Sequence, residues 1–411
     1  MARPPKTYVF IHQNMPGQFL HLIEALARGG DAVYFVSNKV NRRLKGVTSL
    51  VYSLKPDPEA GPDESSSARL LRPVERDVRH AQGAAAALRE LRKRGTKPDL
   101  IVGHTGWGEM LFVGEVFPGV PVLGYFEYFY RPHGADVNFD PEFPGSSGLS
   151  AQLRLRNFVN LSSLELCDRG VTPTVWQQST YPELYRPKLT VLHEGVDTAA
   201  LRRPADATLT LPDGRRLGRE DEVVTYVARN LEPYRGFHVA MRAFAEVGRR
   251  RPNAHVVIVG GDGASYGRKL APGEYRRRAL AEVEIDPGRV HFLGKVPYAQ
   301  FLTVLHVSCA HLYLTYPFIL SWSMLEAMAA ECLVIGSRTG PVEEVLVDGR
   351  NGVLVDFFDH HAIADRIVAA LETPRAFDPL RAEARRTVME RYDLHGVTLP
   401  RYTALLRDMV G

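Results

Sequence analysis

The chain has 411 residues, 45% hydrophobic and 24% charged, with a formal net charge of +4, an ordinary composition for a globular protein and a length that suits two domains better than one core. The modest positive charge favours anionic ligands without requiring nucleic acid, and no nucleic-acid partner is expected. No run reaches the roughly 18 to 20 apolar residues of a membrane span, and the first apolar run, residues 7–12, is too short for a signal-peptide core, so a cytoplasmic location is expected.

In the first half, short β-branched runs alternate with helical stretches, the pattern of parallel strands joined by crossover helices. Residues 8–11 predict a first strand, followed by a turn at 14–19 and an amphipathic helix to Ala27; residues 31–37 predict the next strand. The basic run 38–45 reads as a solvated loop or as a surface for anionic lipid head groups, which would give peripheral contact with the inner face of a membrane. A polar insert at 56–67 precedes a helix predicted over roughly 76–94, and runs 100–103 and 120–126 are further strands. Residues 131–150, rich in Pro, Gly and Asp, are expected to form a long surface loop, a kind more often functional than filler.

A strand at Leu189 leads into turn-rich sequence, and the boundary placed there divides the chain into domains 1–198 and 199–388. The second half repeats the rhythm, with strands at 223–229, 254–261 and 290–294 and helices from Gly236 and near Tyr275. The end of the chain, 378–410, is mostly amphipathic helix. Cys167, Cys309 and Cys332 are scattered in apolar sequence, which predicts core residues and neither a disulfide framework nor a cysteine-based metal site.

Residues 313–337 and 340–355 are the most informative part of the chain: strand, short loop, helix, strand, glycine turn, helix and a glycine-bounded strand. The helix is expected to open with Glu326, whose ionised carboxylate can accept two hydrogen bonds from a vicinal diol. Arg229 and Arg235 flank the change from strand to helix at 227–236, where cations and backbone amides can face an anionic ligand. The glycines at 260–267 follow a strand without matching the dinucleotide fingerprint, so Gly261 is either a site of close backbone approach or a structural turn. His104 ends a strand among glycines, at the face where open α/β sheets bind ligands. Glu127 follows a strand between aromatics suited to sugar faces, as an acceptor-side carboxylate or weak base, or else as part of an aromatic core loop.

Together these motifs resemble family 4 retaining glycosyltransferases, most strongly over 223–355 and also around Gly17 and His104. The resemblance implies an α/β GT-B fold, two Rossmann-like domains facing across a cleft, with a final helix in 389–411 crossing back to the first domain. It implies transfer of a sugar from a UDP- or GDP-sugar to a hydroxyl of a saccharide, lipid-linked or small-molecule acceptor, with retention. The nucleotide sugar would be a co-substrate, with no cofactor and no metal. Arg229 and Arg235 would hold the departing diphosphate, Glu326 the ribose, His104 the transferred sugar, and Gly17 the glycine loop by which diphosphate and acceptor approach. Lys295 and Val296 would meet the nucleobase through their main chain.

The family's pattern places another Glu eight positions before the helix Glu; here that position is Phe318, or Tyr316 if the loop is two residues longer. Ser321 and Ser323 are then the nearby side chains able to offer hydroxyls to the donor. The missing Glu motivates a second reading, a noncatalytic sugar-nucleotide-binding subunit, and a same-fold sugar-nucleotide epimerase is a third.

Overall fold

A computed structural model describes residues 4–54, 65–145 and 148–411. The chain divides into two compact units: one comprises Met1–Val137, Gly145–Glu194 and Thr398–Gly411, and the other comprises Asn138–Pro144 and Gly195–Val397.

In the first unit, strands β1 (Thr7–Ile11), β3 (Ala32–Ser37), β5 (Val47–Val51), β6 (Leu100–His104), β7 (Val122–Tyr125), β8 (Arg169–Thr172) and β9 (Leu189–Val191) form a parallel sheet in the order β5-β3-β1-β6-β7-β8-β9. The two-residue pair β2 (Asn14–Met15) and β4 (Lys39–Val40) stands apart from it. Strand β1 shows why the sheet is covered on both faces. Tyr8 and Phe10 enter one apolar cluster, Val9 and Ile11 another, as the two-residue period of a strand requires. The first cluster also contains Tyr402, Leu405 and Leu406 of the helix Leu399–Val410, which is how the C-terminus joins this unit. The Tyr402 hydroxyl donates to the Leu192 carbonyl at 3.0 Å.

In the second unit, β10 (Leu209–Thr210) and β11 (Arg216–Leu217) form a small antiparallel pair. The main sheet is β12 (Val223–Asn230), β13 (His255–Gly261), β14 (Val290–Gly294), β15 (Ala310–Tyr313), β16 (Val334–Ser337) and β17 (Val353–Val355), all parallel, in the order β14-β13-β12-β15-β16-β17. Chain order reverses between β12 and β15. In an open parallel sheet, that point leaves a crevice at the carboxyl ends of the strands, and ligands bind there.

Several expectations need correction. The polar insert lies mostly outside the described residues, and the helix after it runs Ser66–Lys93, ten residues earlier than predicted. The Ser65 side chain accepts from the Ala68 amide at 3.1 Å and caps it, and the buried stripe Ala81, Ala84, Ala85, Leu88 and Leu91 supplies the packing that lets the helix continue through Pro73. Residues 131–150 are not simply surface: Ala135, Asp136 and Asp140 are buried, residues 138–144 belong to the second unit, and a helix begins at Leu149. Cys309 is half-buried, unlike Cys167 and Cys332.

Candidate functional site

The carboxyl ends of β1, β6 and β7 bring together His12, His104 and Glu127. A backbone N–H can only donate, so the 2.8 Å bond from Asn14 N fixes His12 Nδ1 as an acceptor and leaves the neutral ring's proton on Nε2. The same construction recurs at His104, whose Nδ1 accepts from Gly106 N at 3.0 Å. His104 Nε2 is 3.5 Å from Glu127 Oε2, and Gln18 Nε2 donates to Glu127 Oε1 at 3.2 Å. Trp107 stacks on His104 with ring centroids 4.0 Å apart, and His12 meets both rings edge-on.

Burial, and then the neighbouring His104, lower the His12 pKa to about 3, so the ring is neutral. Burial pushes Glu127 upward, yet the adjoining His104 imidazole, with His12 and the Gln18 amide, outweighs it and holds this carboxylate below its ordinary value. Glu127 is therefore ionised at neutral pH. Neither His12 Nε2 nor His104 Nε2 has a hydrogen-bond partner although both are buried, so two N–H donors and one carboxylate are grouped at the strand ends.

Gly17 has φ +57°, and a Cβ there would come within 2.6 Å of the His12 ring. The space expected for a ligand is thus filled, on that side of Gly17, by the chain's own imidazole. The sequence motifs pointed to His104, Glu127 and Gly17 but not to His12, Gln18 or Trp107. Their only local signal is position: His12 directly follows β1, and Trp107 lies three residues beyond β6.

In the second unit the two arginines differ. Arg229, the penultimate residue of β12, is exposed. Arg235 is 8% exposed, and its Nη1 donates to Thr315 Oγ1 at 2.8 Å, the Ile319 carbonyl at 3.0 Å and the Tyr313 hydroxyl at 3.3 Å. Its guanidinium also lies 5.7 Å from the Tyr266 ring centroid. The pair expected to face an anionic ligand is therefore one surface cation and one cation built into the loop after β15. Between them in sequence, the buried Glu232 accepts from the Ser265 and Tyr266 amides and shapes the loop after β13. Burial raises the Glu232 pKa against those two bonds and the charges of Arg235 and Arg229.

Phe318, expected at the donor, is 2% exposed and packs edge-on against Tyr234 and Tyr266 at 5.3 and 4.8 Å. Tyr316 is equally buried, and its hydroxyl donates to Asp140 at 2.7 Å. Both aromatics pack into the core, and neither position offers a carboxylate.

Glu326 does not open its helix. The helix Trp322–Ala329 is capped by Ser321, and Glu326 is its fifth residue. There it accepts from the Tyr298 hydroxyl at 2.9 Å, and burial raises its pKa to about 7 against that bond. The Ser321 and Ser323 hydroxyls are 3.0 Å apart, Ser321 N donates to the Tyr313 hydroxyl at 2.8 Å, and Ser323 is buried. Lys295 is exposed beyond β14, while Val296 is half-buried against the core. A Cβ on Gly261 would meet Lys295 Cε at 2.4 Å and Asn230 Oδ1 at 2.7 Å. The close approach expected at this glycine is made by side chains of β12 and of the turn after β14.

Both sheets and the strand order of the second place the chain in the GT-B class of glycosyltransferase folds. A family model described as glycosyl transferase family 4 group matches residues 29–201, and one described as glycosyl transferases group 1 matches 213–388. The chain belongs to this family of glycosyltransferases. A D-inositol 3-phosphate glycosyltransferase of Corynebacterium efficiens is 30% identical over 189 residues, 45% of this chain and 43% of the relative. A GDP-mannose-dependent alpha-(1-6)-phosphatidylinositol monomannoside mannosyltransferase of Mycolicibacterium smegmatis is 24% identical over 237 residues, 53% of this chain and 56% of the relative. The matched region thus spans about half the length of such relatives. Among solved structures, sucrose-phosphate synthase from Thermosynechococcus elongatus has a TM-score of 0.71 at 18% identity, covering 98% of this chain and 99% of its own. HepE of Anabaena in complex with UDP-glucose has a TM-score of 0.66 at 16% identity, with the same coverage. At these identities the likeness is one of fold. Among the described residues, no helix is long and apolar enough to cross a membrane.

Proposed function

We propose that the protein transfers a glycosyl group from a nucleoside-diphosphate sugar, UDP- or GDP-linked, to a hydroxyl of a saccharide, lipid-linked or small-molecule acceptor, with retention and without a catalytic metal. The observation that carries this reading is Glu326 in the second turn of the helix after β15, hydrogen-bonded to Tyr298 and beside the sheet's reversal point. A carboxylate there suits a ribose diol, and the exposed Arg229 and Lys295, at the carboxyl ends of β12 and β14, suit a diphosphate. Arg235 would act on the donor mainly by holding the loop 315–319 in shape.

His104, Glu127 and His12 form the proposed acceptor side. An ionised Glu127 accepts a hydrogen bond from a hydroxyl, while the two imidazole N–H groups donate to hydroxyl oxygens. With retention, the departing phosphate takes the proton of the attacking hydroxyl, so no strong protein base is required. The UDP-glucose complex of HepE and the GDP-mannose dependence of the mycobacterial relative motivate both nucleotide choices.

The test is thermal-shift screening with UDP- and GDP-sugars, followed by product analysis with an acceptor panel. A donor at a hundred times its dissociation constant adds about 2.7 kcal/mol of stability. Stabilisation by one nucleotide class, lost in Glu326→Gln, supports the reading; no stabilisation by either refutes it. The buried Phe318 and the internally bonded Arg235 favour one rival, a noncatalytic nucleotide-sugar-binding subunit. Donor binding with neither transfer nor hydrolysis would establish that rival.

A further inference from the structure

We propose that Asp140, Glu142 and His238 bind one divalent transition-metal ion of the zinc class, which pins residues 138–144 to the helix Phe237–Arg250 within the second unit. One donor atom from each residue lies within 4.8 Å of the other two. His238 Nε2 is 3.1 Å from Asp140 Oδ2 and 4.0 Å from Glu142 Oε1. Ligands of a tetrahedral zinc ion bound at 2.0–2.1 Å are separated by about 3.3 Å, a value these two distances bracket.

A second observation comes from the imidazole itself. His238 is only 7% exposed, yet neither ring nitrogen makes a hydrogen bond; the approach of Nε2 to Asp140 has the length of one without its alignment. A buried imidazole left in that state is unfavourable, and an ion on Nε2 supplies one of the two missing partners.

The carboxylates are also oriented from behind, as ligating carboxylates are. Asp140 accepts from the Tyr316 hydroxyl at 2.7 Å and from Glu142 N at 2.9 Å. Arg242 holds Glu142 through two bonds of 2.6 and 2.7 Å. Each carboxylate oxygen has two lone pairs, so a bond to Arg242 leaves one on Glu142 Oε1 for an ion. Glu142 and His238 also line a cavity of about 200 Å³, which gives a water ligand room. One imidazole with two carboxylates suits zinc better than calcium or magnesium. The competing explanation is an ordinary ion-pair cluster in which Arg242 alone balances Glu142.

The test is titration of the EDTA-stripped full chain with zinc chloride by calorimetry and with cobalt chloride by visible absorption. We expect one ion per chain at micromolar concentration and cobalt d–d bands without thiolate charge transfer. His238→Gln and Asp140→Asn should each weaken zinc at least tenfold. His361→Ala should leave this binding unchanged; it removes a ligand from the more exposed set Glu246, His360 and His361. Absence of binding by the native chain, a thiolate band, or binding indifferent to His238→Gln and Asp140→Asn overturns the proposal, as does loss of binding in His361→Ala. Near-UV circular dichroism checks that each variant is folded, and if one of the His238 and Asp140 variants is not, the other, set against His361→Ala, decides which of the two sets holds the ion.

Discussion

At the carboxyl ends of β1 and β6, the first unit gathers His12 and His104 with each Nδ1 tied to a backbone amide and each Nε2 left without a hydrogen bond. At the carboxyl ends of β12 and β15, the second unit instead gives its buried cation three internal acceptors and sets it near the Tyr266 ring. The first arrangement leaves donors waiting for a ligand, since buried polar groups without partners are unfavourable in the free protein. The second has its hydrogen-bonding capacity largely satisfied from within. Similar strand-end positions therefore do different work, and in the second unit the contacts offered to an anion fall to exposed side chains.

The most damaging substitution should expose that difference. Arg235→Ala removes the donor shared by Thr315, Ile319 and Tyr313 and leaves a cavity, an expected loss of about 3 kcal/mol in urea denaturation. Arg229→Ala, at an exposed position, should stay within about 0.5 kcal/mol of the native stability while weakening nucleotide-sugar binding. Equal stability losses at the two positions would break the contrast between a built-in and a ligand-facing cation.

A smaller effect sharpens the picture of the first unit. Gly17→Ala places a Cβ against the His12 ring at a backbone angle of φ +57°, at an expected cost of about 1–3 kcal/mol. Adding His12→Ala removes the steric part and leaves the backbone part, so the double variant should be less destabilised than the two single effects summed. Strict additivity would mean that the ring and the glycine are independent.

The two main sheets show where sequence is informative. Strand β1 was readable because four successive apolar residues serve two cores, whereas β5, mostly exposed along its length at the sheet edge, lacks an apolar signature. Strand β8 is only four residues long and starts with Arg169. Proline disfavours a helix interior, so local sequence does not announce the turns around Pro73, and the packing that tolerates it comes from distant parts of the fold. At the site, His104 and Glu127 could be located from their strands alone. The burial of Arg235 could not, since its acceptors lie 78 to 84 residues further along the chain. Nor could the bond between Tyr298 and Glu326, which spans 28 positions.

Glu326 offers the finest test, because its chemistry changes near neutrality. Burial raises its pKa from the ordinary 4.5 to about 7, so folding favours the protonated acid. The sign follows: its favourable contribution to stability is fully present below pH 4.5 and is lost as pH rises through about 7. Binding a ribose diol has the opposite requirement, since the ionised carboxylate is the better acceptor. A nucleotide sugar has no terminal phosphate monoester to titrate, so its own charge is constant between pH 6 and 8. Over that interval the ionised fraction of Glu326 rises about tenfold, and affinity for the donor should rise by about that factor. Glu326→Gln should bind more weakly at pH 8, show a flat profile, and lose the fall in stability between pH 4.5 and 7. A flat profile in the native chain would remove Glu326 from the ribose contact and leave the exposed cations as the only donor contacts proposed in the second unit.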